Sequence, residues 1–329
     1  MSKKVAINGF GRIGRLTFRI LEKMANVEVV AINDLTDNET LAHLLKYDSA
    51  QGIFDAMVSS TENAIIVDGR TVHAYSEKDP KKLPWKDLGV DVVLDCTGVF
   101  RNAEKLGWHI EAGAKKVVLS APGEGDGIKT IVIGVNDQDI SEDLNIYSNA
   151  SCTTNCLSPA MKLIIDNFGY VTGSMVTIHA YTQDQNLQDA PHNDLRRARA
   201  ASVNIIPTTT GAAKAAALVL PQLKGKMTAM SYRVPVITGS LVEINCLVEK
   251  STTTEEIRSV FKVAAEGPMK GILEYSDLPL VSSDIIGNPH SCIFDADSAL
   301  ANDKYIKVVC WYDNEAGYSH RLAELTSRI

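Results

Sequence analysis

The chain has 329 residues, of which 45% are hydrophobic, and its 40 acidic and 33 basic residues give a net charge of −7. This length allows two domains with hydrophobic cores of their own. An acidic chain with interspersed signs argues against nucleic acid as the primary partner. The sequence shows neither an apolar leader segment nor an apolar run of about 18 residues, so we expect a cytoplasmic protein that does not enter a membrane.

The first predicted elements are a strand, a glycine-rich turn and a helix. The stretch "KKVAINGFGRIGRLTFRILEKM" passes through Gly9, Gly11 and Gly14 into apolar residues at helical spacing, and a second strand, "VEVVAIND", ends at Asp34. Glycines between strand and helix let the backbone approach a pyrophosphate, and an acid at this spacing binds the adenosine ribose hydroxyls. Because Asp34 would repel a 2′-phosphate, the pattern predicts NAD rather than NADP.

Short apolar strands alternate with helical segments through the rest of the first half. The runs "VDVVLDCTG", "KKVVLSAP" and "TIVIGVN" are typical of buried strands, and Asp68-Gly69 predicts a tight hairpin. This alternation predicts an α/β fold with a doubly wound parallel sheet, a Rossmann domain, over residues 1–150. Thr97 and Ser120 follow two of these strands. Small residues there suit a cofactor lying across the carboxyl edge, although each one alone equally suits an ordinary turn.

The stretch "YSNASCTTNCLSPA" places Cys152 at the predicted start of a helix, among the capping residues Ser151, Thr153, Thr154 and Asn155. Unpaired amides and the positive end of the helix dipole lower a thiol pKa at such a position, which favours a nucleophile. The alternative is a cysteine that only packs, as most free cysteines do. The six cysteines form no CxxC pair or histidine-rich cluster, so neither a metal site nor a disulfide scaffold is predicted.

Longer strands with polar interruptions follow Cys152 and predict an α+β domain with a mainly antiparallel sheet. His179 lies in the first of these strands, within "GSMVTIHAYTQDQ". A core histidine satisfied by one hydrogen bond would give the same pattern. Together with a capped thiol and a dinucleotide site, the base of a cysteine–histidine pair is the better interpretation.

Three further features suit oxyanions. Thr182 and Asp184 follow His179 in a polar loop, Thr210-Gly211 precedes a predicted helix, and Arg233 stands inside a strand. Threonine hydroxyls, amides at a helix start and an arginine together bind phosphate well. Helix caps use the same threonines, so the threonines alone decide little.

These motifs resemble one family along essentially the entire chain. The stretches "INGFGRIGR", "KYDS", "SNASCTTNC", "HAYT", "DLRRARA", "PTTTGAAKA" and "WYDNEAGYS" resemble phosphorylating glyceraldehyde-3-phosphate dehydrogenase. The resemblance implies a homotetrameric, NAD-dependent glycolytic oxidoreductase that converts D-glyceraldehyde 3-phosphate and inorganic phosphate to 1,3-bisphosphoglycerate. It implies an NAD-binding domain over 1–150, completed by a C-terminal helix at about 315–329, and a catalytic domain over 151–314.

The resemblance also implies roles for single residues. Cys152 is the nucleophile that carries a thiohemiacetal and then a thioester, His179 is its base, and no metal takes part. Besides the glycines and Thr97, the implied NAD contacts are Arg12, Ile13, Asp34, Lys78, Ser120 and Asn314. Lys78 stands where many relatives carry arginine.

Two phosphate positions are implied in the same way. Thr182 and Arg233 hold the phosphate of the substrate. Ser151, Thr153, Thr210 and Gly211 meet the incoming inorganic phosphate, with Arg197 nearby.

Two alternatives remain. An erythrose-4-phosphate dehydrogenase resembles this family but hydrolyses its thioester, and a non-catalytic binding role is known as a second activity of such enzymes. The segment 234–245 also departs from the family: residues 233–244 read "RVPVITGSLVEI" where the commoner form is "RVPTPNVSVVDL". This variant puts the local sheet and the subunit interface in question.

Overall fold

The computed structural model describes residues 2–329, which divide into two compact units. The first unit comprises the residues up to Ile131 together with Asp137–Ala150 and Ser319–Ile329. The second comprises Val132–Asn136 and Ser151–Tyr318. Each unit has its own sheet and core.

In the first unit, the described residues form eleven strands and four complete helices. The strands are β1 (Lys3–Asn8), β2 (Val27–Asn33), β3 (Tyr47–Asp48), β4 (Gly52–Ile53), β5 (Val58–Thr61), β6 (Ala64–Val67), β7 (Arg70–Tyr75), β8 (Val92–Asp95), β9 (Lys116–Leu119), β10 (Lys129–Thr130) and β11 (Ile146–Ser148). The helices are α1 (Arg12–Leu21), α2 (Asn38–Lys46), α3 (Trp85–Leu88) and α4 (Ala103–Glu111).

Nine of these strands form one sheet in the order β10-β11-β9-β8-β1-β2-β7-β6-β5 among the described residues. The strands from β10 to β7 are parallel, and β6 and β5 are antiparallel additions at one edge. On one side of β1 the sheet continues through β2 to β7, β6 and β5. The later strands, from β8 onward, extend it on the other side of β1. This reversal creates a switch point at the carboxyl ends of β1 and β8, where such sheets bind ligands. The predicted doubly wound sheet is confirmed.

Two local predictions in this unit had opposite outcomes. Asp68-Gly69 forms the predicted hairpin turn, with positive φ angles of 49° and 80° that suit a two-residue connection between β6 and β7. The strand predicted from "TIVIGVN" is wrong beyond Thr130. There the chain turns at once, because the Asn136 side chain accepts the Val132 amide at 2.9 Å and Gly134 adopts a φ of 86°.

In the described part of the second unit, eight strands form one mainly antiparallel sheet in the order β13-β14-β12-β15-β19-β17-β16, with β18 paired to β19. Only the β12–β14 and β16–β17 pairings within it are parallel. The strands are β12 (Thr172–Ala180), β13 (Ile206–Thr208), β14 (Met227–Val234), β15 (Ser240–Leu247), β16 (Leu273–Ser276), β17 (Cys292–Asp295), β18 (Leu300–Asn302) and β19 (Tyr305–Tyr312).

The helices of this unit are α5 (Cys152–Phe168), α6 (Ala212–Val219) and α7 (Thr254–Glu266). A last helix, α8 (Ala316–Arg328), begins here, and its residues from Ser319 onward belong to the first unit. Short 3₁₀ helices occur at Pro80–Lys82, Asp137–Asp139, Pro221–Leu223 and Ser282–Ile285. Across residues 2–329, no helix has both the length and the apolar character needed to cross a bilayer.

Two features of the second unit position its polar residues. The parallel register of β12 and β14 sets His179 directly beside Arg233. The helix α5 is buried from Thr153 to Ile164 except at Lys162, so its first residue, Cys152, is held by a well-packed element. Residues on such elements are placed more accurately than residues on loops.

Candidate active site

Cys152 is the first residue of α5, as predicted. Ser151 is its N-cap and accepts a hydrogen bond from the Thr154 amide at 3.1 Å. The Cys152 residue is partly exposed, whereas Cys156, one turn further along the helix, is fully buried. The two thiols of the "CTTNC" stretch therefore differ in access: one can meet a substrate and the other packs.

His179 lies against this thiol, with Nε2 at 3.4 Å from the Cys152 Sγ. Its Nδ1 lies 2.7 Å from the carbonyl oxygen of Ala180. Because a carbonyl oxygen only accepts, Nδ1 carries the ring proton, and the lone pair of Nε2 faces the thiol. This tautomer is the one that a general base needs.

Arg233 anchors the other side of the histidine. Its Nη1 lies 3.0 Å from the Ala180 oxygen, 3.1 Å from Thr182 Oγ1 and 3.0 Å from His179 Nδ1. Since Nδ1 donates its own proton to the Ala180 carbonyl, Nδ1 does not accept from Arg233. The Arg233 Nη1 hydrogens are donated instead to the Ala180 carbonyl and the Thr182 hydroxyl. The Nε of Arg233 is buried and has no partner among the described residues. Arg233 thus holds a positive charge beside the pair, with donor capacity left over.

The pKa of each member of the pair shifts toward the uncharged form. Burial raises the pKa of the Cys152 thiol, and this outweighs the opposite influences of the Arg233 charge and the Thr153 hydrogen bond. The expectation of a lowered pKa at this helix start is therefore wrong for the protein alone. Burial, with Arg233 as the second cause, lowers the pKa of His179 to about 3, so the imidazole is neutral across the physiological range.

Tyr312 lies behind the pair and supports it, and it is not among the predicted site residues. Its hydroxyl lies 2.9 Å from Thr153 Oγ1 and 2.9 Å from Thr177 Oγ1, and its ring meets that of His179 edge-on at 5.9 Å. All three hydroxyl-bearing side chains are buried. They tie the first turn of α5 to the strand that carries His179.

A chain of polar contacts extends from Thr182 to the end of β13. The Thr182 hydroxyl donates to Asp184, which accepts Arg197 Nη1 at 2.6 Å. Arg197 Nε reaches Thr208 Oγ1 at 3.0 Å. The contacts thus bring Thr182, Arg197 and Arg233 into one network, together with Asp184 and the buried Thr208, which was not predicted.

The residues predicted to bind the incoming inorganic phosphate differ in whether their polar groups already have hydrogen-bond partners. Ser151 Oγ lies 2.7 Å from Thr154 Oγ1, and Thr153 Oγ1 is bound to Tyr312. Thr210 Oγ1 accepts the Ala212 amide at 3.2 Å, a cap within its own helix start. At Gly211 a Cβ would meet nothing within 4 Å in the described chain, so its backbone is open to a ligand.

In the first unit, each of the three glycines in the glycine-rich turn has a different structural role. Gly9 has a φ of 91°, and a Cβ there would lie 2.7 Å from the Thr97 amide nitrogen. A Cβ on Gly14 would lie 2.2 Å from the Gly9 oxygen, so α1 can approach β1 only through glycine. Gly11 is the N-cap of α1 and makes no side-chain cap, and within residues 2–329 a Cβ on it would meet nothing within 4 Å. That open helix start fits a pyrophosphate.

Asp34 and Arg12 flank this turn. Asp34 Oδ2 accepts the Phe10 amide at 2.7 Å, which ties the end of β2 to the glycine-rich turn. Arg12, next to Ile13 at the start of α1, pairs with Asp48 at 3.0 Å. Beyond Asp34 lies a cavity of about 760 Å³ lined by Leu35–Glu39, Ser60–Asn63 and Ala74–Ser76. Its size suits an adenosine.

The remaining predicted residues of this unit lie at strand ends. Asp95, the last residue of β8, accepts the Thr97 hydroxyl at 2.7 Å, and its carbonyl accepts the Ser120 amide at 2.9 Å. The Asn33 side chain fixes Glu77 through two hydrogen bonds, just before the exposed Lys78. Thr97, Ser120 and Lys78 therefore follow the carboxyl ends of β8, β9 and β7.

A dinucleotide turn in one unit and a neutral histidine against a thiol in the other define the class of thiol-dependent, NAD-linked dehydrogenases. Comparison with known proteins gives the family. Residues 3–103 match the glyceraldehyde 3-phosphate dehydrogenase NAD binding domain, and residues 151–314 match its C-terminal domain. The chain belongs to the glyceraldehyde-3-phosphate dehydrogenase family; it is an oxidoreductase, and its cofactor is NAD.

Several relatives match along their full length. The chain is 55% identical to glyceraldehyde-3-phosphate dehydrogenase of Mycolicibacterium smegmatis, with 100% of this chain and 99% of the relative covered. It is 54% identical to the enzyme of that name from Mycobacterium avium, with 100% and 99% covered. It is also 54% identical to that from Borreliella burgdorferi, with 99% of each covered.

Proposed function

We propose that this enzyme oxidises D-glyceraldehyde 3-phosphate, with inorganic phosphate and NAD, to 1,3-bisphosphoglycerate. The observation that carries the proposal is the 3.4 Å contact between Cys152 Sγ and His179 Nε2, beside the cationic Arg233. The identity of the aldehyde substrate is proposed from the names of the relatives, which are glyceraldehyde-3-phosphate dehydrogenases. We further propose a cytoplasmic homotetramer in which the NAD domain spans residues 1–150 and the C-terminal helix, and the catalytic domain spans 151–314.

The first step joins the thiol to the aldehyde. Cys152 Sγ forms a bond to the carbonyl carbon while its proton passes to His179 Nε2. The developing alkoxide is stabilised by the Cys152 backbone N–H at the helix start, and the imidazolium then returns the proton to this oxygen. A neutral thiohemiacetal on Cys152 results, and His179 is again neutral.

The second step oxidises the thiohemiacetal. Bound NAD supplies the acceptor for the hydride that leaves the former aldehyde carbon. His179 Nε2 takes the hydroxyl proton as the C=O bond forms. A thioester remains on Cys152, and it keeps the free energy of the oxidation in its C–S bond.

Phosphate then releases the product. A phosphate oxygen attacks the thioester carbonyl, the C–S bond breaks, and the leaving thiolate of Cys152 recovers the proton held by His179. The acyl group leaves as an acyl phosphate. In the hydrolytic alternative, water attacks instead and a free acid leaves.

Two sets of residues hold the two phosphates in this proposal. Thr182 and Arg233, joined at 3.1 Å, bind the phosphate of the aldehyde. The incoming phosphate meets amides and hydroxyls at two helix starts, with Arg197 close by. This second set is Ser151, Thr153, Thr210 and Gly211.

The cofactor contacts are proposed from the positions already described. The open start of α1 takes the pyrophosphate, Asp34 takes the ribose hydroxyls, and the cavity beyond Asp34 takes the adenine. The remaining proposed contacts are Gly9, Arg12, Ile13, Gly14, Lys78, Thr97, Ser120 and Asn314.

A phosphate-free burst tests the proposal. Rapid mixing of enzyme, NAD and glyceraldehyde 3-phosphate without phosphate should give about one NADH per active subunit and then nearly stall, because the thioester accumulates. Added phosphate should restart turnover, and Thr210→Val should weaken the restart more than the burst. Steady turnover without phosphate, with 3-phosphoglycerate as product, would establish the hydrolytic alternative instead.

A further inference from the structure

The amide of Asn314 is held at its oxygen by two donors. Its Oδ1 accepts the Ser240 hydroxyl at 2.9 Å and the Gly239 amide at 3.2 Å, and Thr238 Oγ1 lies 3.2 Å from the same oxygen. All four residues are buried in the second unit. Within the described residues, every side-chain contact of Asn314 engages this oxygen, so the amide nitrogen Nδ2 and its two hydrogens face the other way.

The backbone of Gly239 fixes which end of the amide turns inward. A backbone N–H only donates, so the atom that faces it must be the oxygen of Asn314. Gly239 has a φ of 90°, and a Cβ on it would lie 2.4 Å from the Ser282 carbonyl oxygen. Glycine is therefore required to present this N–H.

Thr238 stabilises the backbone on either side of Asn314. Its hydroxyl gives its shortest contact, 2.6 Å, to Asp313 Oδ1, which also accepts the Glu315 amide at 2.8 Å. The residue before Asn314 and the residue after it are thereby tied to the turn that carries Gly239. Thr238 and Gly239 lie in the segment 234–245, where the sequence departs from the commoner family form.

Ser240 connects Asn314 to the catalytic pair. Its Oγ accepts the amide of Ala180 at 3.0 Å and donates to Asn314 Oδ1 at 2.9 Å. Ala180 follows His179 and accepts the proton on His179 Nδ1. One hydroxyl therefore sets the position of Asn314 relative to the base.

We infer that Thr238, Gly239 and Ser240 are positioning residues that hold Asn314 with its Nδ2 donor toward the carboxamide oxygen of the nicotinamide. The inference rests on the proposed role of Asn314 as a cofactor contact. The carboxamide oxygen is the acceptor that the nicotinamide ring carries, so a fixed donor here selects one orientation of the ring. Of these three residues, Thr238 and Gly239 differ from the commoner family form, whereas Ser240 is shared with it, so the serine donor to Asn314 is kept.

Binding measurements without aldehyde or phosphate test this inference independently of the proposed reaction. Affinities for NAD and for ADP-ribose, which lacks the nicotinamide, are measured by calorimetry in Ser240→Ala, Asn314→Ala and the double variant. We expect Ser240→Ala to weaken NAD about threefold to tenfold, the scale of one hydrogen bond, and to leave ADP-ribose within about twofold. In the Asn314→Ala background, Ser240→Ala should have no further effect on NAD, because its target is gone.

Ser231→Ala is the matched control. Ser231 is also a buried strand serine, but its Oγ has no partner among the described residues, so both affinities should stay unchanged. Equal losses for NAD and ADP-ribose in Ser240→Ala would overturn the inference in favour of a general structural role. Additive losses in the double variant would also overturn it, because Ser240 would then act without Asn314.

Discussion

The pairing of β12 with β14 sets His179 directly beside Arg233, and the two side chains meet at 3.0 Å. A guanidinium so close to a buried imidazole opposes its protonation, which keeps Nε2 available as a base. The same charge acts on Cys152 in the favourable direction, but burial outweighs it there. The free protein thus holds a neutral thiol and a neutral base. The charges that the reaction needs arise only when a substrate is attacked.

The rate at which Cys152 is alkylated should reflect the raised pKa of its thiol. Because the raised pKa favours the thiol, its reaction with limiting iodoacetamide should accelerate as pH rises past about 8.5, the value of an ordinary cysteine. Cys152 should still react first, since Cys96 has its pKa raised to about 12 by burial and Cys156 is fully buried. Peptide mapping across pH 5–10 measures both points.

The competing form is a thiolate–imidazolium pair, since two such charges 3.4 Å apart would attract each other. A rate plateau from pH 6 to 8 that disappears in His179→Asn would establish that form. First labelling of Cys156, with loss of activity, would remove Cys152 from the nucleophile role.

His179→Asn should retain NAD binding and lose turnover. The substitution removes the proton acceptor at Nε2 and leaves a polar side chain between Cys152 and Arg233. Loss of a general base costs about a hundredfold to ten-thousandfold in rate, which steady-state kinetics would detect. An unchanged NAD affinity in the same preparation serves as the folding control. Turnover within about threefold of the unsubstituted enzyme would mean that another group takes the proton.

Local signals were sufficient for several features. Ser151 before Cys152, Asp68-Gly69 between two strands, and Thr210-Gly211 before α6 each determine a cap or turn through neighbouring residues alone. The alternation of apolar strands with helices likewise identified the parallel sheet of the first unit.

Other features depend on residues far apart in the chain. The partners of Tyr312 lie 135 and 159 positions away, so no local pattern marks its hydroxyl as part of the site. The pKa of Cys152 depends on burial by the folded unit, which a helix-start argument omits. The apolar run after Thr130 reads as a strand, yet the bond from Val132 to Asn136 turns it. Periodicity alone cannot separate a buried strand from a buried turn of the same composition.

Tyr312→Phe should destabilise the second unit. It deprives Thr153 and Thr177 of a shared partner in a buried setting, and each unsatisfied hydroxyl costs about 1–3 kcal/mol. Urea unfolding should show this loss, and Thr177→Val combined with Tyr312→Phe should cost less than the sum of the two. Strict additivity would mean that the hydroxyls do not act as one network.

Asp34 should set the preference for NAD over NADP through its charge, and two variants separate that charge from its structural contact. Asp34 Oδ2 also accepts the Phe10 amide at 2.7 Å, so Asp34→Ala removes both the negative charge and a support of the glycine-rich turn. Asp34→Asn keeps an oxygen for Phe10 and removes the charge alone. If repulsion of a 2′-phosphate excludes NADP, both variants should bind NADP more tightly. Asp34→Ala should lose more NAD affinity than Asp34→Asn, by about the two- to tenfold that one hydrogen bond provides. Dissociation constants for both cofactors, measured by calorimetry at one ionic strength, give the comparison. An NAD to NADP ratio that stays at its original value in Asp34→Asn would show that the carboxylate charge does not select the cofactor, whatever Asp34→Ala does to the turn.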